Sequence, residues 1–389
     1  MNVLIMKTNP EHIAVFIQLL QYVVGSRKEM PEGISEELWP VVYDMALKQS
    51  VAGVVFSRIE KIDKERTGIP IDLLMEWIGV AEQIKGQNTE VNKCSAKVAA
   101  YFEKRGYQCC LLKGQGNALM YPESDMRTSG DIDVWLVPEQ RQRRSDEIVD
   151  IARIAGKLCP GGKICYHHVD AGKYRGVEVE IHYRPSFMNN LIHNHRLQQW
   201  FEQQAAEQFT HRVALPGDAG SVCVPTTAFN IVFQLVHISN HVMHEGIGLR
   251  HLMDYYYLLC RADGLSEAEH REAVATLRRL GLWKVAGAVM YVLHEVFGLE
   301  ERLMLVPADE RRGRFLLDEM MEGGNFGQYD ERSERPSSQW GKNVQRLRRD
   351  VRLMRYFPSE CLWEPVFRWY HFFWRQLTEL KLKTSYRYR

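Results

Sequence analysis

Two carboxylates one residue apart, Asp131 and Asp133, interrupt an otherwise apolar run that continues from Ile132 to Val137. In an extended strand successive side chains alternate faces, so the two acids point one way while Ile132 and Val134 point the other, into a core. Side by side, each anion raises the cost of ionising the other. A cation between them removes that cost. Hard oxygen ligands on a shared face suit Mg2+, which proteins hold through one or two carboxylates together with substrate phosphates.

A bare Asp-x-Asp is also what a solvated strand face looks like, so the flanking residues decide. Upstream, Cys109-Cys110-Leu111-Leu112 reads as a buried strand running into Lys113-Gly114-Gln115-Gly116, and Asn117 to Tyr121 reads as the start of a helix. A strand, a glycine turn and a helix start expose backbone N–H groups that suit a phosphate. Lys113 adds a point charge there. Arg127 and Gly130 then lead into the carboxylate pair. The stretch predicts one site: phosphate cradle, basic residue, metal carboxylates.

Lys113-Gly114, Arg127 and Gly130-Asp131-Ile132-Asp133 resemble the nucleotidyltransferase superfamily of the DNA polymerase beta type. The similarity is nearer to its uncharacterised bacterial branch and more distant to the abortive-infection toxin enzymes. The superfamily usually has Gly-Ser where this chain has Gly114-Gln115, whereas the branch typically has Lys-Gly. The resemblance implies a third carboxylate on a neighbouring strand. In Val177 to Tyr183, Glu178, Glu180 and His182 share one face. The branch carries Glu-x-His here, which Glu180-Ile181-His182 matches. Glu180 is therefore the expected third ligand and Glu178 the second choice; a plain antiparallel strand with one wet face is the alternative.

Hydrophobic residues at 45% and charged residues at 25% of 389 predict a globular chain with room for two or three domains. A formal net charge of +1 gives no global attraction to nucleic acid or membrane. Eight scattered cysteines without a CxxC predict reduced thiols and a cytoplasmic protein. Met1 to Gly25 lacks the pattern of a signal peptide, and no apolar run is long enough for a bilayer. The expected fold is α+β: a small mixed β-sheet nucleotidyltransferase core over 106–215, an N-terminal helical region over 1–105 and a C-terminal helical region over 216–389.

Within these regions, separate helices are expected from Pro70 and from about Glu82 to Arg105. A further helix should run from Arg141 to Leu158, stopped by Pro160-Gly161-Gly162. Lys163 to Val169 should be a strand, with a turn at Asp170-Ala171-Gly172 and a helix from Leu191 to Phe209. Adjacent His167 and His168 should face opposite sides. His237 and His241 lie one helical turn apart, a spacing that can bind zinc, but the metalloprotease Glu is missing and an interfacial histidine pair is the expectation. The Gly246 to Asp254 segment resembles the branch, which implies that His241, Arg250 and Asp254 reach the cleft rim. The alternative is an Arg250–Asp254 ion pair within one helix. Glu322 to Ser338, with Pro336, reads as a loop. Gln339 to Arg389 carries 12 basic and 4 acidic residues interleaved with aromatics. Such a mixture can bind nucleic acid or an anionic membrane surface, though a helix packing its aromatics on the body is favoured.

The expected chemistry is transfer of a nucleoside monophosphate from an NTP, expected to be ATP, to an unknown hydroxyl acceptor. Two Mg2+ ions, which Mn2+ can replace, would be held by Asp131, Asp133 and Glu180. Glu180 would assist proton removal, and Lys113, Gly114, Arg127, Gly130, His182, His241, Arg250 and Asp254 would contact nucleotide or phosphate. Two other readings stay open: an inactive member that binds nucleotide or a partner, and a nucleic-acid-binding protein led by its basic C-terminal segment.

Overall fold

The computed structural model describes residues 9–32, 34–62, 67–159, 162–329 and 338–386. Its helices open with α1 (Pro10–Val24), α2 (Trp39–Lys48) and α3 (Ala52–Ile59). Next comes a 33-residue helix, α4 (Ile71–Glu103). Two separate helices were expected there. Gly79 and Gly86 lie in open space on α4 and leave it continuous. A glycine costs a helix only about 1 kcal/mol, which packing over nine turns easily outweighs.

Strand β1 (Tyr107–Leu111) follows, then the short helix α5 (Gln115–Ala118) and strand β2 (Ile132–Pro138). Helix α6 (Arg144–Leu158) leads to β3 (Lys163–Ile164), β4 (His168–Tyr174) and β5 (Val177–His182). These make one mixed sheet in the order β1-β2-β5-β4-β3. β2 runs antiparallel to β1 and parallel to β5, so the fold is α+β with a small mixed sheet. The strand expected over Lys163 to Val169 is broken by a bend at Tyr166-His167. The expected turn at Asp170-Ala171-Gly172 is instead a bulge inside β4. The chain reverses at Arg175-Gly176, where both φ angles are positive, as a two-residue hairpin loop requires. Pro160 and Gly161 of the expected stop signal and Pro336 of the expected loop lie outside the described residues.

Helix α7 (Leu191–Gln208) and a hairpin of β6 (Arg212–Leu215) and β7 (Gly220–Cys223) lead out of the sheet. The hairpin was not foreseen. Then follow α8 (Thr227–His244), α9 (Leu249–Ala262), α10 (Glu267–Arg279), α11 (Trp283–Phe297), α12 (Glu310–Gly323), α13 (Gln339–Met354) and α14 (Pro358–Tyr386). No described helix is long and apolar enough to cross a membrane.

Alternation along β2 divides the core. Ile132, Val134 and Leu136 join Cys109, Leu111, Val179 and Ile181 in a core shared with α4 and α6. Trp135 and Val137, on the opposite face, join a larger core that includes Phe16 of α1, Phe233 of α8 and Leu252 of α9. N- and C-terminal helices therefore pack together on one side of the sheet, with Gln21 donating to the Glu295 carbonyl at 2.9 Å. Asp133 shares that side, at the start of β2, where the packed aromatics give way to a cavity.

The C-terminal segment divides its aromatics. Phe357 and Phe367 are buried, while Trp369, Phe372 and Phe373 are exposed, so packing on the body accounts for only part of them. Polar contacts tie the segment down, among them the Asn189 N–H donating to Glu360 at 2.7 Å and Arg312 donating to the Tyr356 carbonyl at 3.0 Å.

Gly53 of α3 presses on the loop that precedes Arg127: a Cβ there would lie 2.3 Å from the Met126 carbonyl oxygen. Gly53→Ala is expected to destabilise the chain by about 1–3 kcal/mol, as overpacking of a tight contact does. Urea unfolding measures it; an unchanged midpoint would contradict the close approach.

Candidate active site

The centre of the site is fixed by strand register. Asp133 of β2 lies opposite Glu180 of β5, and Trp135 opposite His182. Glu180 and His182 project from the same face of β5. His182 Nε2 lies 3.0 Å from Asp133 Oδ1 and 3.3 Å from Glu180 Oε2, and one donor atom from each residue falls within a 4.8 Å cluster. Lys113 Nζ reaches Asp133 Oδ1 at 2.8 Å from the turn after β1. Two cations thus bear on one buried carboxylate.

Burial works to raise the Asp133 carboxyl, but Lys113 and His182 outweigh it and hold it far below the carboxylate range. Burial works to lower the His182 imidazole, but hydrogen bonds to Asp133 and Glu180 lift it to about 9. Glu180 is held low chiefly by the His182 hydrogen bond, against burial. Asp131 precedes the strand rather than lying in it. Repulsion from Asp133, then burial, raises its carboxyl to about 6. That elevation marks a place where added positive charge is favourable.

The Lys113-Gly114 turn owes its shape to Gly114, whose φ of +56° lies in the region that favours glycine; an added Cβ would meet the Asp131 carbonyl only at ordinary contact distance. Gln115, which stands where the superfamily has Ser, is buried. Its amide donates to Asn92 at 2.6 Å and to Asn88 at 3.2 Å. Asn88 in turn donates to the carbonyls of Asp125 at 2.7 Å and Arg127 at 2.9 Å. Helix α4 therefore clamps both loops that carry the site.

Arg127 is nearly fully buried and already paired. Its Nε and Nη2 each lie 2.7 Å from Asp254, whose carboxylate also receives Tyr121 Oη at 2.6 Å and Asn117 Nδ2 at 3.1 Å. The alternative of an Arg250–Asp254 pair within one helix gives way to Arg127–Asp254, which joins the sheet loop to α9. Arg250 Nη1 donates to the Thr128 carbonyl at 3.1 Å, while its buried Nε finds no hydrogen-bond partner among the described residues.

A cavity of about 560 Å3 opens over these groups. Of the residues named from sequence, Lys113, Gly114, Arg127, Gly130, Asp131, Asp133, Glu180, His182, His241, Arg250 and Asp254 all line it. Glu178 does not share the wall and stays mostly exposed. His167 and His168 both line it, because the bend before β4 cancels their alternation. His168 Nδ1 lies 2.9 Å from His167 Nε2 and 3.6 Å from Glu180 Oε2. Sequence reasoning missed His251, Asn117, Gln234, Phe326, Arg346, Phe367 and His371, which close the cavity from the helical side. For Gln234 and His251 the one signal was a polar residue within a helix otherwise apolar enough to be core; Phe326 and Phe367 carried none.

Burial works to raise the Asp254 carboxyl, and the Arg127 ion pair overrides it to hold the group below its ordinary range. Asp254→Asn leaves a buried guanidinium uncompensated and is expected to cost about 3–5 kcal/mol in urea unfolding. A carboxylate with a depressed folded pKa contributes stability above its unfolded pKa of about 3.9 and loses it as pH falls through the folded value. The gap between wild type and Asp254→Asn should therefore be constant above about pH 5 and shrink below about pH 4. A gap that widens on acidification would contradict this assignment.

A family model described as an uncharacterised nucleotidyltransferase matches residues 35–298. No curated protein sequence matches the chain. Among solved structures, it is similar to an antigenic nucleotidyltransferase-like protein from Paracoccidioides brasiliensis, at 13% identity and a TM-score of 0.34, over 58% of this chain and 97% of that one. That likeness is too loose to bear on the chemistry, whereas the family match spans the whole sheet, the Lys-Gly turn and α8 to α11. The chain belongs to the uncharacterised nucleotidyltransferase family.

Proposed function

We propose that the protein transfers a nucleoside monophosphate from an NTP to a hydroxyl acceptor, with Asp131, Asp133 and Glu180 as its carboxylates. The observation that carries this reading is the register of Asp133 against Glu180 across a parallel strand pair, beside a Lys-Gly turn and facing one cavity. The donor set fits Mg2+ or Mn2+. Hard oxygens converge, and the raised Asp131 carboxyl reports uncompensated negative charge. Divalent ions bound there would neutralise phosphate charge and lower the pKa of the acceptor hydroxyl.

The chain's own groups carry the rest. Glu180 is the least buried of the His182-linked acids and takes the acceptor proton. His182, held protonated between Asp133 and Glu180, fixes the orientation of both carboxylates. Lys113 and Arg250 offer positive charge to the phosphates, and the open Gly130 lets a phosphate approach the backbone. Arg127, saturated by Asp254, positions the loop rather than gripping substrate. The acceptor hydroxyl attacks the α-phosphorus, the bond to the β-phosphate oxygen breaks, and pyrophosphate leaves. ATP is the NTP we would try first.

The test is pyrophosphate release from each NTP with Mg2+ or Mn2+ over a panel of small-molecule, protein and RNA acceptors, alongside thermal-shift binding. Turnover should fall about 10²–10⁴-fold in Glu180→Gln, as removal of a general base does, and at least as far in Asp133→Asn. Nucleotide binding without pyrophosphate release from any acceptor would favour an inactive, nucleotide-binding member instead.

A further inference from the structure

Helix α8 places His237 and His241 one turn apart on the cavity wall, and α9 brings a third ring, His251, against them. The His237 and His241 Nε2 atoms lie 3.0 Å apart. The ring centres are 4.3 Å apart for His237 and His241, 4.9 Å for His241 and His251, and 5.7 Å for His237 and His251. One nitrogen from each of the three falls within 4.8 Å of the other two.

A hydrogen bond between the two imidazoles accounts for the first pair. It leaves His251 unexplained. That residue is 7% exposed, and its Nδ1 has no hydrogen-bond partner among the described residues. A buried polar atom left without a partner is costly, and a metal bond to the ring offsets that cost. His241 has a carboxylate where ligating histidines commonly have an outer partner: its Nδ1 lies 3.2 Å from a Glu245 oxygen, within ion-pair reach though not aligned as a hydrogen bond. Phe326 packs on His241 and His251 with ring centres at 5.3 and 5.5 Å. It does so in the left-handed region, at φ +55°, a conformation that a bulky residue rarely adopts away from functional sites.

We infer that His237, His241 and His251 form a metal site for a borderline divalent ion of the zinc class, in the helical wall of the same cavity. Three imidazoles match Zn2+, Co2+ or Ni2+ rather than Mg2+, which prefers oxygen. Burial lowers the proton affinity of the His237 and His251 rings, which favours the neutral form that ligates. Three protein ligands leave a fourth position for a water or an anionic group of whatever the cavity binds. The missing metalloprotease Glu does not bear on binding, because that Glu is a general base and not a ligand; the third ligand here comes from the next helix. The site stands whether or not the cavity turns over nucleotide.

The untagged, metal-free full chain should be titrated with Co2+ in excess Mg2+, which occupies the carboxylates. About one equivalent should give the intense visible band of four-coordinate Co2+, and Zn2+ should abolish it. His251→Gln and His241→Gln should each weaken binding by more than the roughly 10–100-fold typical of losing an outer partner, and Glu245→Gln by about that range. Thermal melting without metal checks that each variant folds. If His251→Gln does not fold, the wild-type titration and His241→Gln still decide. No visible band, or full affinity kept in His241→Gln, would overturn the site. So would a band lost in His168→Gln but kept in His241→Gln, since it would assign the ion to the other histidine group.

Discussion

Asp133 is a buried carboxylate with another, Glu180, directly across a strand pair and a third, Asp131, two residues away. Like charges about 4 Å apart repel by about 4 kcal/mol even at an effective dielectric of about 20. That is several times the worth of a surface ion pair, so no arrangement of exposed charges could offset it. Lys113 at 2.8 Å and His182 at 3.0 Å are what make the cluster tolerable. Each comes from a different element, the turn after β1 and the end of β5. The site therefore exists only if β1, β2 and β5 pair in register.

Register alone leaves the connecting loops free, and two buried polar joints fix them. Asn88 and Asn92 on α4 hold Gln115, and Asn88 also holds the Asp125 and Arg127 carbonyls, which sets the distance between the Lys-Gly turn and the start of β2. The bidentate Arg127–Asp254 pair then fastens that loop to α9. A buried pair of this kind is weak evidence for net stability but strong evidence for geometry, since few other arrangements satisfy it. Asp254 satisfies Arg127, Tyr121 and Asn117 at once, so α9 and the sheet cannot shift relative to each other without breaking several bonds together.

The period of two in Glu180-Ile181-His182 was legible because strand alternation is a local rule; Asp131, just ahead of β2, lines the same cavity from outside the strand. The polar clamp was not, because nothing near Gln115 reveals that Asn88 and Asn92, more than twenty residues earlier, face it. The pairing of Arg127 with Asp254 was hidden for the same reason. Helical spacing offers Arg250 as the partner of Asp254, whereas a guanidinium over 120 residues away fits the carboxylate bidentately. His167 and His168 were misplaced because the alternation rule fails at the bend before β4. His251 was invisible as a partner of His237 and His241 until the break at Glu245 to Gly248 turned α9 back on α8. Gly246 and Gly248 permit that return: a Cβ at either would lie 2.9 Å from the backbone of the 325–327 turn.

The cavity has walls of different origin. The carboxylates, Lys113 and the histidines of α8 and α9 lie within residues 35–298, the span of the family match. Phe326, Arg346, Phe367 and His371 lie beyond it and close the other side. A phosphate-handling wall needs a fixed charge pattern, because the chemistry at phosphorus is the same for every acceptor. An acceptor wall needs shape, and aromatic, cationic and imidazole side chains on helices supply it without disturbing strand register. On the nucleotidyl-transfer reading, acceptor choice then belongs to α13 and α14 and the Phe326 turn. This also gives the basic, aromatic C-terminal segment a reason to be split: Phe367 and His371 face the cavity, while Trp369 and Phe373 on the same helix remain on the outside.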